Sequence, residues 1–249
     1  MRTIAWMDRR RRSLLVPFVL AAAAALAGCQ PAEEPAARTL PPTGSESRAA
    51  PERSDSPEAG AGAPLVVFLG DSLTAGLGLA EEDAFPAILE RRLRAAGRRV
   101  RVVNAGISGD TSAGGLARLD WLLRQGPDVL VVGLGANDGL RGLSPEMTGE
   151  NLRAIVARAR RAGAGVLLLG MQLPTNYGPE YTRAFGDLYP ALAAELGVPL
   201  VPFLLEGVGG RPELNLPDGI HPTAEGHRRM AETVQPYLVD LLAGPAAAR

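Results

Sequence analysis

From residue 65 onward, short apolar runs alternate with longer segments in which apolar side chains recur every three or four positions. The first pattern predicts buried β-strands and the second predicts amphipathic helices. Strands that alternate with helices form a parallel sheet covered on both faces. Because strand–helix–strand crossovers are right-handed, we expect a three-layer, doubly wound α/β fold with the flavodoxin-like strand order 2-1-3-4-5. The five predicted strands are Leu65 to Leu69, Val100 to Asn104, Val129 to Gly133, Val166 to Met171 and Leu200 to Phe203.

The intervening segments carry helical spacing. Apolar faces are marked by Phe85, Ile88, Leu89, Leu93 and Ala96 in one segment, by Leu152, Ile155, Val156 and Ala159 in another, and by Met230, Val234, Tyr237 and Leu241 in the last. Two further helices are predicted over about 112–125 and 179–196.

The first 28 residues have the composition of an export signal. Basic residues precede an apolar stretch from Leu14 to Ala27, which is short for a membrane-spanning helix. The sequence Leu26-Ala27-Gly28-Cys29 resembles the lipobox at which bacterial lipoprotein precursors are cleaved and acylated. Cys29 is the only cysteine, so it cannot form an internal disulfide. We therefore expect residues 1–28 to be a lipoprotein signal peptide and Cys29 to carry a lipid anchor. A signal-peptidase site that contains a cysteine by chance is the alternative.

The next segment differs in composition from the rest of the chain. Residues 30–64 are rich in Pro, Ala, Glu and Ser and contain hardly any large apolar side chain. Such a segment cannot bury enough surface to offset the entropy of ordering. We predict a lipidated cysteine with a disordered tether over 29–64, a folded domain over 65–243 and a disordered tail over 244–249.

Charge and composition exclude some functions. The net charge is −1, and no basic stripe with interleaved aromatic residues is present, so we expect no nucleic-acid partner.

The carboxyl ends of the predicted strands carry polar motifs. Gly70-Asp71-Ser72 follows the first strand, Ser108-Gly109-Asp110 follows the second, and Asn137-Asp138 follows the third. Asp218-Gly219-Ile220-His221 precedes the last helix. Each motif alone is typical of a turn. Together they indicate a site, because open α/β sheets bind ligands beyond the carboxyl ends of their strands.

Chemistry suggests a role for several of these residues. A serine nucleophile needs a base within hydrogen-bond reach, and the chain has only two histidines. His227 lies inside the last predicted helix and is expected to pack there, so His221 is the better base. Asp218, three residues earlier, can orient its imidazole.

The other acids near the strand ends are assigned to structure. Asp71 neighbours Ser72, and we expect its side chain to point away from the serine and hold the turn. Asp110 and Asp138 are expected to brace their loops.

In order and spacing, these four segments resemble the conserved blocks of the SGNH (GDSL) hydrolases. The similarity is nearest to the thioesterase I, arylesterase and lysophospholipase group of periplasmic enzymes, and it extends to Asn137-Asp138-Gly139-Leu140-Arg141-Gly142 and Leu173-Pro174-Thr175-Asn176-Tyr177-Gly178. The resemblance implies a catalytic triad of Ser72, His221 and Asp218. It also implies an oxyanion hole formed by the backbone N–H groups of Ser72 and Gly109 and the side-chain amide of Asn137. No metal or organic cofactor is expected.

The functional expectation is an exported serine hydrolase that cleaves carboxylic esters, thioesters or lysophospholipids through an acyl-enzyme. It would face the periplasm or the extracellular side, contact the membrane through Cys29, and act as a monomer on a small-molecule or lipid acyl ester. The residues expected to line the substrate groove are Leu77, Leu79, Leu173 and Pro174. Two alternatives are a carbohydrate O-deacetylase on the same fold and a non-enzymatic envelope lipoprotein that binds a ligand.

Overall fold

A five-stranded parallel sheet forms the centre of the domain in the computed structural model, which describes residues 62–244. The strand order is β2-β1-β3-β4-β5, which confirms the predicted doubly wound topology. The strands are β1 (Leu65–Gly70), β2 (Arg101–Gly106), β3 (Val129–Gly133), β4 (Gly165–Leu169) and β5 (Leu200–Val201). The predicted signal peptide, Cys29, nearly all of the tether and residues 245–249 lie outside the described part of the chain.

Two helical layers cover the sheet. Helix α2 packs against α7, and α5 packs against both α3 and α6, as right-handed crossovers require. The helices are α1 (Ser72–Ala75), α2 (Phe85–Ala95), α3 (Ser112–Leu123), α4 (Ala136–Leu140), α5 (Pro145–Arg161), α6 (Pro179–Leu196) and α7 (Ala224–Ala243). Hydroxyl side chains at Thr111, Ser144 and Thr223 cap α3, α5 and α7 by accepting a backbone N–H from the first turn.

Several strand boundaries differ from the sequence prediction: β1 and β2 extend to Gly70 and Gly106, and β4 begins one residue early at Gly165. Strand β2 begins at Arg101 rather than Val100, whose carbonyl instead accepts a hydrogen bond from Arg94. Strand β4 ends at Leu169 rather than Met171, and β5 ends at Val201 rather than Phe203. Proline at 202 has no N–H to donate and stops the edge strand.

The core lies between the sheet and its helices. Every residue of β1 is buried, and so are the apolar faces of α2, α5 and α7. Within residues 62–244, none of the helices combines the length and the apolar character needed to cross a bilayer. The helices run antiparallel to the strands, so the loops after the strands meet at one edge of the sheet.

Candidate active site

Ser72 lies where β1 gives way to a short helix. Asp71 caps α1, since its Oδ1 accepts the N–H of Leu73 at 3.0 Å, and Ser72 is the first helical residue. The turn is tight, because a Cβ at Gly70 would collide with the side chain of Thr74. The serine hydroxyl is thereby held at the carboxyl end of the sheet.

Ser72, His221 and Asp218 form a continuous hydrogen-bonded chain. His221 Nε2 lies 2.9 Å from Ser72 Oγ, and His221 Nδ1 lies 2.7 Å from Asp218 Oδ2. Because an ionised carboxylate only accepts, Nδ1 carries the proton and Nε2 is free to accept from the serine. The structure thus brings together the three residues that the sequence predicted as nucleophile, base and orienting acid.

A local turn positions the acid. The other carboxylate oxygen of Asp218 accepts the backbone N–H groups of Ile220 and His221, both at 3.0 Å. The turn includes Gly219 at φ 75°, a left-handed conformation that favours glycine. The pKa of Asp218 is lowered to about 2. The hydrogen bond from the His221 side chain has the largest effect, and the two backbone N–H groups add smaller ones. Asp218 therefore stays ionised wherever the imidazole can act as a base.

His227 has a structural environment, as the sequence indicated. Its side chain is 1% exposed, and its Nδ1 accepts the N–H of Phe85 at 3.1 Å. Burial lowers the pKa of His227 to about 4. Its ring stacks on that of Phe85, and the histidine hydrogen-bonded to Ser72 is His221.

Three hydrogen-bond donors lie beside the serine. Among the described residues, neither the backbone N–H of Ser72 nor that of Gly109 has an acceptor. The side-chain amide of Asn137 makes one long contact, 3.4 Å to Asp71 Oδ2. All three residues line the same cleft. The arrangement can therefore receive the negative charge that develops on a carbonyl oxygen during attack.

The remaining carboxylates brace the loops. Asp138 is buried and accepts both the N–H and the hydroxyl of Ser112, at 2.8 and 2.5 Å. Asp110 pairs with Arg118 at 2.8 Å. Asp71 holds its turn as expected; it is also one of the residues that line the cleft, and burial raises its pKa to about 6.

The cleft at this edge has a volume of about 580 Å³. Of the predicted groove residues, Leu77, Leu173 and Pro174 line it, whereas Leu79 does not and lies half-buried nearby. The apolar residues along its walls are Leu73, Leu77, Ala136, Leu140, Met171, Leu173, Pro174, Phe203, Leu205 and Ile220. Among residues 62–244, the lining includes no arginine. Over residues 62–244, no group of three His, Cys, Asp or Glu side chains is arranged to hold a metal ion.

A sequence model described as the GDSL-like Lipase/Acylhydrolase family matches residues 68–229, which include Ser72, Gly109, Asn137, Asp218 and His221. The chain belongs to this family.

Several members of the GDSL-like family are similar to this chain. It is 50% identical over 183 residues to "Esterase TesA" of Pseudomonas aeruginosa, a match that covers 73% of this chain and 91% of that protein. It is 44% identical over 184 residues to "Thioesterase 1/protease 1/lysophospholipase L1" of Escherichia coli K12, covering 74% and 83%. A crystal structure of TesA superposes with a TM-score of 0.70 at 50% identity, covering 72% of this chain and 99% of that chain.

Two arginines of this GDSL-like site were not singled out by sequence. Arg118 donates to the carbonyls of Ala105 and Gly70 at 2.6 and 3.0 Å, so it ties together the ends of β1 and β2. Arg141 donates to the Gly109 carbonyl at 2.8 Å. Both arginines lie in segments that resemble the family, Arg118 in Gly114 to Leu119 and Arg141 in Asn137 to Gly142, but the sequence alone assigned neither a role.

Proposed function

We propose that this protein is a serine esterase that works through an acyl-enzyme on Ser72. The observation that carries the proposal is the hydrogen-bonded chain from Ser72 Oγ through His221 to Asp218, at 2.9 and 2.7 Å, inside an apolar cleft. A free hydroxyl is a weak nucleophile near neutral pH, and an adjacent imidazole activates it.

The reaction follows from the positions of the groups. His221 Nε2 takes the proton of Ser72 as Oγ attacks the carbonyl carbon, and Asp218 stabilises the imidazolium that forms. The oxyanion accepts from the N–H groups of Ser72 and Gly109 and from the amide of Asn137. The intermediate collapses, and His221 gives the proton to the departing alcohol or thiol. Water activated by His221 then releases the acid from Ser72.

The cleft favours an uncharged acyl group. Its walls are mainly aliphatic, with Phe203 as an aromatic contact, and a straight acyl chain would bury its methylenes there. The names of the relatives include esterase, thioesterase and lysophospholipase activities. We therefore propose carboxylic esters, acyl thioesters and lysophospholipids as the substrate class.

A series of esters with lengthening acyl chains, together with lysophosphatidylcholine and acetylated xylan, tests this assignment. We expect kcat/KM to rise as methylenes are added until the cleft is filled, and lysophosphatidylcholine to be hydrolysed. Turnover confined to acetylated sugars would instead establish an O-deacetylase. Failure of a fluorophosphonate to label the protein would favour a binding lipoprotein.

We also propose that the protein is exported and held at a membrane by a lipid on Cys29, within the lipobox-like Leu26-Ala27-Gly28-Cys29. Intact mass measurement of the membrane fraction should find a diacylglyceryl-modified chain that begins at Cys29. The Cys29→Ser variant should appear in the soluble fraction with unchanged ester turnover. An unmodified mature chain in the soluble fraction would contradict the anchor without affecting the esterase assignment.

A further inference from the structure

We propose that the edge of the sheet opposite the cleft docks on an anionic phospholipid surface. This surface, called here the basic edge, consists of one exposed aromatic residue and five exposed arginines: Trp121, Arg98, Arg99, Arg101, Arg124 and Arg161. The proposal is independent of the esterase chemistry.

The topology gathers these residues at the amino ends of the strands. Arg101 begins β2, and Arg98 and Arg99 lie in the loop before it. Arg124 lies between α3 and β3, and Arg161 ends α5 just before β4. The strands begin at nearly the same height in the sheet. The first residue of β2, Arg101, is paired with Leu65, and β3 and β4 begin one residue further along, at the height of Val66. Adjacent strands are about 4.8 Å apart, so the arginines of β2, β3 and β4 lie along one side of the domain.

The five arginines have no ion-pair or hydrogen-bond partner for their side chains within residues 62–244. The carboxylates near the same helix ends face other arginines: Glu90 faces Arg94, Asp120 faces Arg158 and Glu195 faces Arg153. Asp128, just before β3, and Asp240, near the end of α7, form no ion pair within residues 62–244, and Asp128 instead accepts the N–H of Leu65 at 2.7 Å. These two carboxylates offset part of the charge of the five arginines. A net positive charge therefore remains on this edge.

The opposite edge exposes more carboxylates than arginines. The exposed carboxylates around the cleft are Glu81, Glu82, Glu146, Glu180, Glu206, Glu213 and Asp218, and the exposed arginines there are Arg141, Arg183, Arg211 and Arg228. An anionic surface attracts the basic edge and repels the cleft edge. The charge distribution thus favours one orientation of the domain on such a surface.

The side chains of the basic edge suit a phospholipid. A guanidinium forms paired hydrogen bonds with phosphate oxygens. Trp121, 61% exposed near the end of α3, has the amphipathic ring that is enriched at membrane–water interfaces. The chain also reaches the domain at this edge, since residues 1–61 precede β1 and its first residue, Leu65. These features favour a lipid surface over a nucleic acid.

The orientation has a consequence for substrate access. The six residues of β1 span about 20 Å at about 3.3 Å per residue, and Ser72 follows the far end of this strand. On a docked domain the cleft would open away from the lipid. Substrates would reach Ser72 from the aqueous side.

The test uses the full chain with Trp6→Phe and Cys29→Ala, so that Trp121 is the only tryptophan and no acyl anchor can form. Its fluorescence is followed with phosphatidylcholine vesicles, with and without phosphatidylglycerol, that contain a lipid carrying a headgroup-level quencher. We expect quenching with phosphatidylglycerol that raised salt reverses. Removing three charges in Arg98→Gln/Arg99→Gln/Arg101→Gln should lower the partition coefficient on the order of 10²-fold.

The matched control is Arg183→Gln/Arg211→Gln/Arg228→Gln, which has the same net charge but alters exposed arginines nearer the cleft edge. It should partition like the parent, and both triple variants should hydrolyse a soluble ester normally, which shows that they are folded. The proposal is overturned if both triple variants lose partitioning equally. It is also overturned if neither loses it, a result that would assign vesicle binding to the N-terminal arginines. Retention of an RNA oligomer without binding to phosphatidylglycerol vesicles also overturns it.

Discussion

His221 and His227 show how the surroundings of a side chain decide its chemistry. His221 lies on a loop with an ionised Asp218 on one ring nitrogen and the Ser72 hydroxyl on the other. His227 is buried in α7, and its Nδ1 is occupied by a backbone N–H. Only the first imidazole can exchange a proton with a substrate.

The Asn137 amide tests the oxyanion hole at the residue scale. We expect Asn137→Ala to lower kcat by about 10²–10³, with little change in KM, because the lost donor acts mainly on the charged intermediate. Steady-state kinetics on a soluble ester measures both constants. The control is Asn176→Ala, an exposed asparagine that does not line the cleft, which should behave as the parent protein. An equal rise in KM with unchanged kcat would assign Asn137 to substrate binding instead.

Much of the site could be predicted because its residues follow strand ends. Ser72, Gly109 and Asn137 each lie within five residues after a recognisable apolar run, and Asp218 is close in sequence to His221. Leu79 does not line the cleft, and it follows two glycines in the left-handed conformation, Gly76 and Gly78, which an apolar pattern does not predict. Arg118 was missed because its acceptors are backbone carbonyls up to 48 residues away.

At the element scale, α1 depends on its fit against β2. A Cβ at Gly106, the last residue of β2, would overlap the backbone of Ala75. We expect Gly106→Ala to reduce the free energy of unfolding by about 2–3 kcal/mol, since backbone atoms must move, and to reduce ester turnover by displacing Ser72. Urea unfolding and turnover measure the two effects.

Gly186 provides the matched control. It lies inside α6 with open space around the position of a Cβ. Gly186→Ala should increase the free energy of unfolding by about 0.5–1 kcal/mol through helix propensity, without altering turnover. Equal effects at the two glycines would contradict the close packing of α1 on β2.

The elements themselves were predictable to different degrees. Local sequence is enough to locate some elements. These are β1, β3 and β4, which are long apolar runs, and α2 and α5, which have periodic apolar faces. Strand β5 has two residues, and the walls formed by Phe203 and Leu205 follow from its early end at Pro202. Where a short edge strand ends depends on its neighbour, so local sequence predicts it poorly.

At the scale of the whole molecule, His227 links stability to pH. Its pKa is about 4 in the fold against 6.5 for an ordinary histidine, so the unfolded chain binds the extra proton first. The contribution of neutral His227 to the free energy of unfolding is complete above about pH 6.5 and is lost as the pH falls towards 4. Its upper limit is about 3 kcal/mol. Asp83, His221 and the neighbouring Phe85 N–H are the groups that face it.

Urea unfolding of the parent protein and of His227→Gln between pH 7 and pH 4 measures this link. The variant is expected to be less stable at pH 7 and to lose less stability on acidification, because glutamine does not titrate. Asp71, whose pKa is raised by burial, acts in the opposite sense but is present in both proteins. Parallel stability curves for the two proteins would contradict a contribution of His227 to the pH dependence.

Mass spectrometry of the protein treated with a fluorophosphonate can identify Ser72 as the acyl-accepting nucleophile. We predict a single adduct on the peptide that contains Ser72 and its absence in a folded Ser72→Ala variant, which should also lose ester turnover. Ser108→Ala, which alters the other serine of the cleft, should be labelled like the parent. Unchanged labelling and turnover in Ser72→Ala would contradict this assignment.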